Sequence, residues 1–251
     1  MAMTAGLGAQ AAEGKATAVL ASSYNSRGML LTDEPVFQPA VSLSLSNGLY
    51  FTAWGNMDLT GRMCPDANTE FSEVDFTVAY QRSWQEFQLE IGWIEYLYPH
   101  QTSQKADGTG SRYYATDGTR EIYGKIGAIV GLLQPSVTVY YDFDEVYGFY
   151  VMAGLTAERS LTDCLKVNVG ALLTYADAKY NRFNFGVDGG GLNDGSLSVG
   201  ADWKITERLT LSACIQYMRL LNPYIREAAE ERYFNNTSGN MIKMVSLAYD
   251  F

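Results

Sequence analysis

The 251-residue sequence has a single histidine, His100, and three cysteines, Cys64, Cys164 and Cys214. No CxxC pair and no nearby histidine accompany the thiols, which argues against a zinc site or a disulfide framework and for isolated packing cysteines. His100 stands beside Gln101, Thr102 and Ser103 with nothing to assign it a partner. A Ser-His or Asp-His mechanism needs base and orienting group together, so no catalytic residue and no enzymatic activity is expected. The Asp142-x-Asp144 pair with Glu145 is too weak a set to imply calcium, and neither metal nor cofactor is expected. Charged residues make up only 18%, below the usual quarter. The formal net charge of −10 is the wrong sign for nucleic acid, which wants a basic face. No run of about eighteen apolar residues exists to make a transmembrane helix. Tandem repeats, linkers and shifts of composition are missing too, so the chain reads as one domain.

What the chain does have is aromatic residues, 13% of the total with 18 tyrosines, and alternation. Counting back in twos from Phe251 gives Tyr249, Leu247 and Val245, against Asp250, Ala248 and Ser246. A side-chain period of two gives a strand one greasy face and one small or polar face. Leu197, Val199, Ala201, Trp203 and Ile205 repeat the pattern, as do Leu209, Leu211, Ala213, Ile215 and Tyr217. These runs are about ten residues long, where strands of globular proteins average five or six; ten tilted residues suffice to cross an outer membrane. The alternation predicts strands near 16–26, 36–46, 48–59, 71–82, 85–98, 120–132, 135–144, 147–158, 164–175, 195–205, 208–220 and 241–251. Tight turns such as Asn47-Gly48 and Thr206-Glu207 alternate with long polar connections, the pattern of a barrel with short periplasmic turns and long outer loops. Within the last of these, 222–233 predicts a short helix. The fold class expected is all-β: a single closed antiparallel transmembrane β-barrel of about 12 strands, over residues 12–251. Ala9-x-Ala11 resembles a signal-peptidase site, which makes 1–11 the remnant of a signal peptide.

Short motifs add a family likeness. Ser22-x-Tyr24-x-x-Arg27-Gly28, Asp33-x-Pro35-x-x-Gln38, Gly48-x-Tyr50-x-x-x-Trp54-x-Asn56, Tyr96-x-Tyr98-Pro99, Glu121-Ile122-Tyr123 and Val139-Tyr140-Tyr141-Asp142 resemble the TorF-type porins of Gram-negative bacteria. The apolar Met29-Leu30-Leu31 departs from the usual polar continuation after Arg-Gly. The resemblance implies an outer-membrane barrel and supplies no solute.

If the apolar register faces lipid, the other register faces the lumen. It carries Arg27, Asp58, Glu73, Asp75, Glu90, Glu121, Lys125, Asp142, Asp144, Lys166, Asp202 and Lys204, eight acids and four bases. A mid-depth Arg or Lys on the lipid face costs roughly 2–4 kcal/mol, so strand charges should collect inside. Glu95 shares a register with Leu89, Ile91 and Trp93 and must lie near a rim. Trp54, Tyr123 and Tyr140, with Tyr50 and Tyr96, are expected to line or fill the lumen. Trp93, Trp203, Tyr141, Phe143, Tyr175 and Tyr249 are expected as interface girdles. Tyr249 and Phe251 should serve as the assembly signal read by the barrel-assembly machinery. The remaining partners expected are outer-membrane lipid, lipopolysaccharide and small hydrophilic solutes. The location expected is the bacterial outer membrane with both termini periplasmic. The function expected is a passive porin-like channel, with a plugged structural or adhesive barrel as the competing reading and a hydrolase behind it.

Overall fold

A computed structural model describes residues 12–60, 69–99, 118–232 and 238–251, except the side chains of 230–232. The proposed signal remnant, Cys64 and His100 lie outside the described residues. Among the described residues, fourteen strands and two helices follow in order: β1 Ala12–Ala21, β2 Tyr24–Ser26, β3 Met29–Thr32, β4 Val36–Leu45, β5 Leu49–Asp58, β6 Phe71–Trp84 and β7 Phe87–Leu97. Then come β8 Gly118–Ala128, β9 Leu133–Asp142, β10 Phe149–Ser160, β11 Leu165–Ala176, α1 Ala178–Phe185, β12 Gly191–Lys204, β13 Leu209–Leu220, α2 Pro223–Arg232 and β14 Gly239–Asp250.

Twelve of these strands close an antiparallel barrel, each hydrogen-bonded to its sequence neighbour, and β1 pairs with both β4 and β14. Among the described residues, closure leaves no wall strand without a partner on either side, which hydrocarbon requires because it offers no alternative hydrogen bond. The seam runs Lys15↔Asp250 through Ala21↔Met244. It is extended by Phe251, whose N–H donates to the Gly14 carbonyl at 2.8 Å while the Gly14 N–H donates to the Phe251 carbonyl at 2.9 Å. The Phe251 ring lies over Gly14 so closely that any Cβ there would collide with it.

The alternation is realised across the wall. Ile91 is 64% exposed and Leu197 65%, far above what a core tolerates, so the apolar register faces outward. The opposite register points into the lumen. Short turns (46–48, 85–86, 129–132, 161–164, 205–208) gather at one end, and the longer connections at the other, called here the long-loop end.

Two long connections fold back. The β2–β3 hairpin turns through Arg27 and Gly28, at φ +47° and +85°, the two positive values a type I′ hairpin turn requires. Helix α1 starts on Asp177, whose carboxylate accepts from the Tyr180 N–H, and stops on the left-handed Gly186. Tyr24, Met29 and Leu31 of the hairpin, Phe185 of α1, Ile225 and Ala229 of α2, and Val36, Leu220 and Ile242 of the wall form one buried apolar cluster. The hairpin and both helices therefore close the β1, β13 and β14 side of the mouth.

Two expectations are corrected here. The first strand ends at Ala21 and not near 26, because Tyr24 and Leu31 bury themselves in this cluster. A strand was expected to begin near 195, but β12 begins at Gly191, with β11 following it past a register shift at Leu173/Tyr175.

Candidate functional site: a row of cavities along one wall

On the side that the apolar cluster leaves open, the lumen holds cavities. The first, about 370 Å³, lies at the long-loop end among Arg27, Trp54, Glu73, Asp75, Tyr96, Glu121, Tyr140, Asp142 and α1 residues Tyr180, Phe183 and Asn184. A second, about 420 Å³, is lined by Tyr50, Glu90, Tyr123, Lys125, Thr138, Tyr140 and Met152, and shares Ile94 and Tyr140 with the first. A third, about 400 Å³, opens among the short turns with Gln81, Arg82 and Gln88, and shares Glu90 and Lys125 with the second.

Arg27 is the hub of the first cavity. Its guanidinium donates to both Glu121 oxygens, at 2.6 and 2.5 Å, and to the Tyr96 hydroxyl at 3.2 Å. Its carbon lies 4.5 Å from the Tyr140 ring centroid and 4.9 Å from that of Tyr150, within cation–π range. Burial pulls the guanidinium pKa down, but Glu121 together with the neighbouring Tyr96 and Tyr180 outweighs it, so the net shift is upward. A non-glycine residue at positive φ costs on the order of 1–3 kcal/mol and persists only where its surroundings over-determine it; the forked ion pair and stacked tyrosines do so here. Beside it, Tyr24 donates to Glu73 at 2.7 Å. Burial, then the Glu73 charge, raises the Tyr24 pKa. Burial also raises that of Tyr180. Three buried polar atoms around this cavity have no partner: Oδ1 of Asp75 and both amide atoms of Asn25.

At the junction of the second and third cavities, the Tyr50 and Tyr123 hydroxyls both donate to Glu90 Oε1, at 2.7 and 2.5 Å. Glu90 and Lys125 are direct cross-strand neighbours.

Of the residues named from sequence, Arg27, Trp54, Glu73, Asp75, Tyr140 and Asp142 meet in the first cavity, and Glu90, Tyr123, Lys125 and Tyr140 in the second. Arg27 arrives from a hairpin tip and not from a strand. Asp58 is buried and serves its own turn, accepting from the Thr60 N–H and hydroxyl. Asp142 Oδ1 likewise accepts from the N–H groups of Asp144, Glu145 and Val146. Asp144 was expected in the lumen, but it pairs with Arg120 on the outer wall at 3.2 Å, because two residues past Asp142 the chain has turned off the strand. Arg120 also holds Glu95 at 3.1 Å, next to the end of β7, so Glu95 does lie at a rim. Lys166 pairs with Glu158 at 3.2 Å, and Asp202 accepts from Asn168. These two and Lys204 line none of the three cavities. Sequence reasoning missed Tyr24 and Asn25 of the hairpin and Tyr180, Phe183 and Asn184 of α1. The Asp177 and Gly186 caps and the apolar Met29–Leu31 run were the available signals.

A closed twelve-stranded barrel with short turns at one end and infolded loops at the other is the architecture of outer-membrane porins. A family profile described as "Bacterial protein of unknown function (Gcw_chp)" matches residues 8–218, and the chain belongs to that family. Among solved structures it is similar to "KdgM porin", at 9% identity over 95% of this chain and 99% of that one with a TM-score of 0.54. It is equally similar to "KdgM porin in complex with disordered oligogalacturonate", at 9% identity with the same coverage and a TM-score of 0.55. An outer membrane channel from Pseudomonas putida F1 aligns over 98% of this chain and 97% of that one, at 12% identity and a TM-score of 0.49. No curated protein matches the chain. At 9% identity, the likeness to the two KdgM porin structures is one of fold alone.

Proposed function

We propose that the protein is a passive channel of the bacterial outer membrane for small hydrophilic solutes, with both termini periplasmic and the long-loop end outward. The observation that carries this reading is the row of three cavities, each sharing lining residues with the next, from the long-loop end to the short turns. A lumen filled by ion pairs would break that row. The first cavity's lining has four carboxylates against one guanidinium, so the path favours cations at its mouth. The porin fold and the motifs resembling TorF-type porins lean the same way. The outward apolar band would meet membrane lipid and lipopolysaccharide, and Phe251 would be presented to the barrel-assembly machinery.

The buried cluster of hairpin and helices favours a second reading, a barrel plugged for a structural or adhesive role. Single-channel recording of the refolded full chain in a planar bilayer separates the two. The channel reading predicts stepwise, cation-preferring conductance; silence across salts and voltages overturns it in favour of the plug.

A further inference from the structure

Asp75 occupies an unusual place in the first cavity. On β6 its cross-strand neighbours are Trp54 on β5 and Tyr96 on β7, and all three line the cavity. Opposed residues on paired strands hold their Cβ atoms roughly 4.5–5.5 Å apart, so the carboxylate emerges between two aromatic side chains. Its Oδ1 is buried and without a hydrogen-bond partner. Asn25, lining the same cavity, leaves its amide oxygen and nitrogen buried and unpartnered too.

The neighbouring charges do not complete this arrangement. Arg27, the one cation lining the cavity among the described residues, forks onto Glu121. Glu73 accepts from Tyr24, and Asp142 is committed to its turn. A buried carboxylate oxygen without a donor is costly, and a group that brings both N–H donors and positive charge relieves that cost most fully. A primary ammonium has three donors and no acceptor, and flanking aromatic faces attract it through their ring quadrupoles.

We propose that the long-loop cavity is a recognition site for small organic cations bearing a primary ammonium, held by Asp75 between Trp54 and Tyr96. The proposal names the solute class of the channel reading and rests on that reading for transport, though not for binding. Oligogalacturonate, the ligand of a similar barrel, carries a carboxylate on each sugar and does not suit this cavity.

The test is equilibrium dialysis of the full chain, refolded in detergent, against labelled putrescine, its uncharged counterpart butanediol and its dianionic counterpart succinate. Saturable binding is expected for putrescine alone. Asp75→Asn, nearly the same shape, should weaken it at least tenfold, and Glu86→Gln in a distant short turn should leave it unchanged. Putrescine should also block single-channel current in the wild type. No putrescine binding, equal binding of succinate, or full affinity in Asp75→Asn overturns the proposal. If Asp75→Asn fails to fold, the comparison of the three solutes on the wild type still decides. Conductance without putrescine binding leaves the channel and removes this site; binding without conductance does the reverse.

Discussion

Replacing Arg27 by alanine tests whether the hairpin is latched inside the barrel. The Arg27 side chain is 17% exposed and that of Glu121 only 4%, so the substitution leaves a carboxylate in a nearly dry site. Its remaining bond would be that from the Tyr96 hydroxyl, at 2.9 Å. Breaking a buried ion pair by removing one partner costs about 3–5 kcal/mol. The hairpin can relieve that cost by undocking, so what appears as lost stability is bounded by the free energy of hairpin release. We expect a fall of roughly 2–3 kcal/mol in a urea titration of the liposome-reconstituted barrel, with proteolytic cleavage at the hairpin tip and larger single-channel conductance. Adding Glu121→Gln removes the stranded charge. The double variant should then be more stable than Arg27→Ala alone, with a coupling of about 2 kcal/mol in the cycle. Wild-type stability and conductance in Arg27→Ala, or strict additivity of the two substitutions, would refute the latch.

Three further outcomes are expected. Deleting Phe251, or filling the space under its ring with Gly14→Leu, should lower the yield of heat-modifiable, fast-migrating barrel on unboiled gels; undiminished assembly in both would remove the role assigned to the terminal aromatic. Asp142→Ala strips three backbone N–H groups of their acceptor and should cost about 1–2 kcal/mol, like the loss of a helix cap, with Asp142→Asn costing less; a urea midpoint equal to the wild type's would contradict this. Arg120→Ala removes exposed pairs with Glu95 and Asp144, so its small destabilisation should vanish in high salt; a large loss that salt does not touch would place this cluster in a dry interface instead.

The barrel was legible because a two-residue period imposed on about ten residues at a time is hard to produce otherwise. From Val36 to Leu220 every expected wall strand overlaps an observed one, and the helix expected at 222–233 matches Pro223–Arg232. The misses share a cause. Ser22, Ser23 and Tyr24 include no glycine or proline to mark a stop, so local sequence alone could not show that the chain leaves the wall at Ala21. That depends on Met29 and Leu31 packing in one cluster with Phe185 of α1 and Ile225 and Ala229 of α2, a contact between distant segments with no local period. Register also cannot say which lumen-facing carboxylate is spent on a turn. Asp58 and Asp142 are held by backbone donors, whereas Asp75, in the same register and type, is left unpartnered. The lumen's inventory was readable, and its division into turn caps, latch and open site was not.

The seam at Gly14 and Phe251 also bears on the order in which the molecule is made. Every other pair of neighbouring wall strands is adjacent in the chain's course, so hairpins can zip successively; β1 and β14 alone must wait until the whole wall exists. Contacts of such sequence separation are slow to form, and until this one closes, two long edges carry unpaired donors and acceptors that invite pairing with another chain. A residue whose backbone makes both the donating and the accepting bond across that gap acts as a latch on time as well as on structure. The nearly finished sheet stays exposed to aggregation until Phe251 is in place.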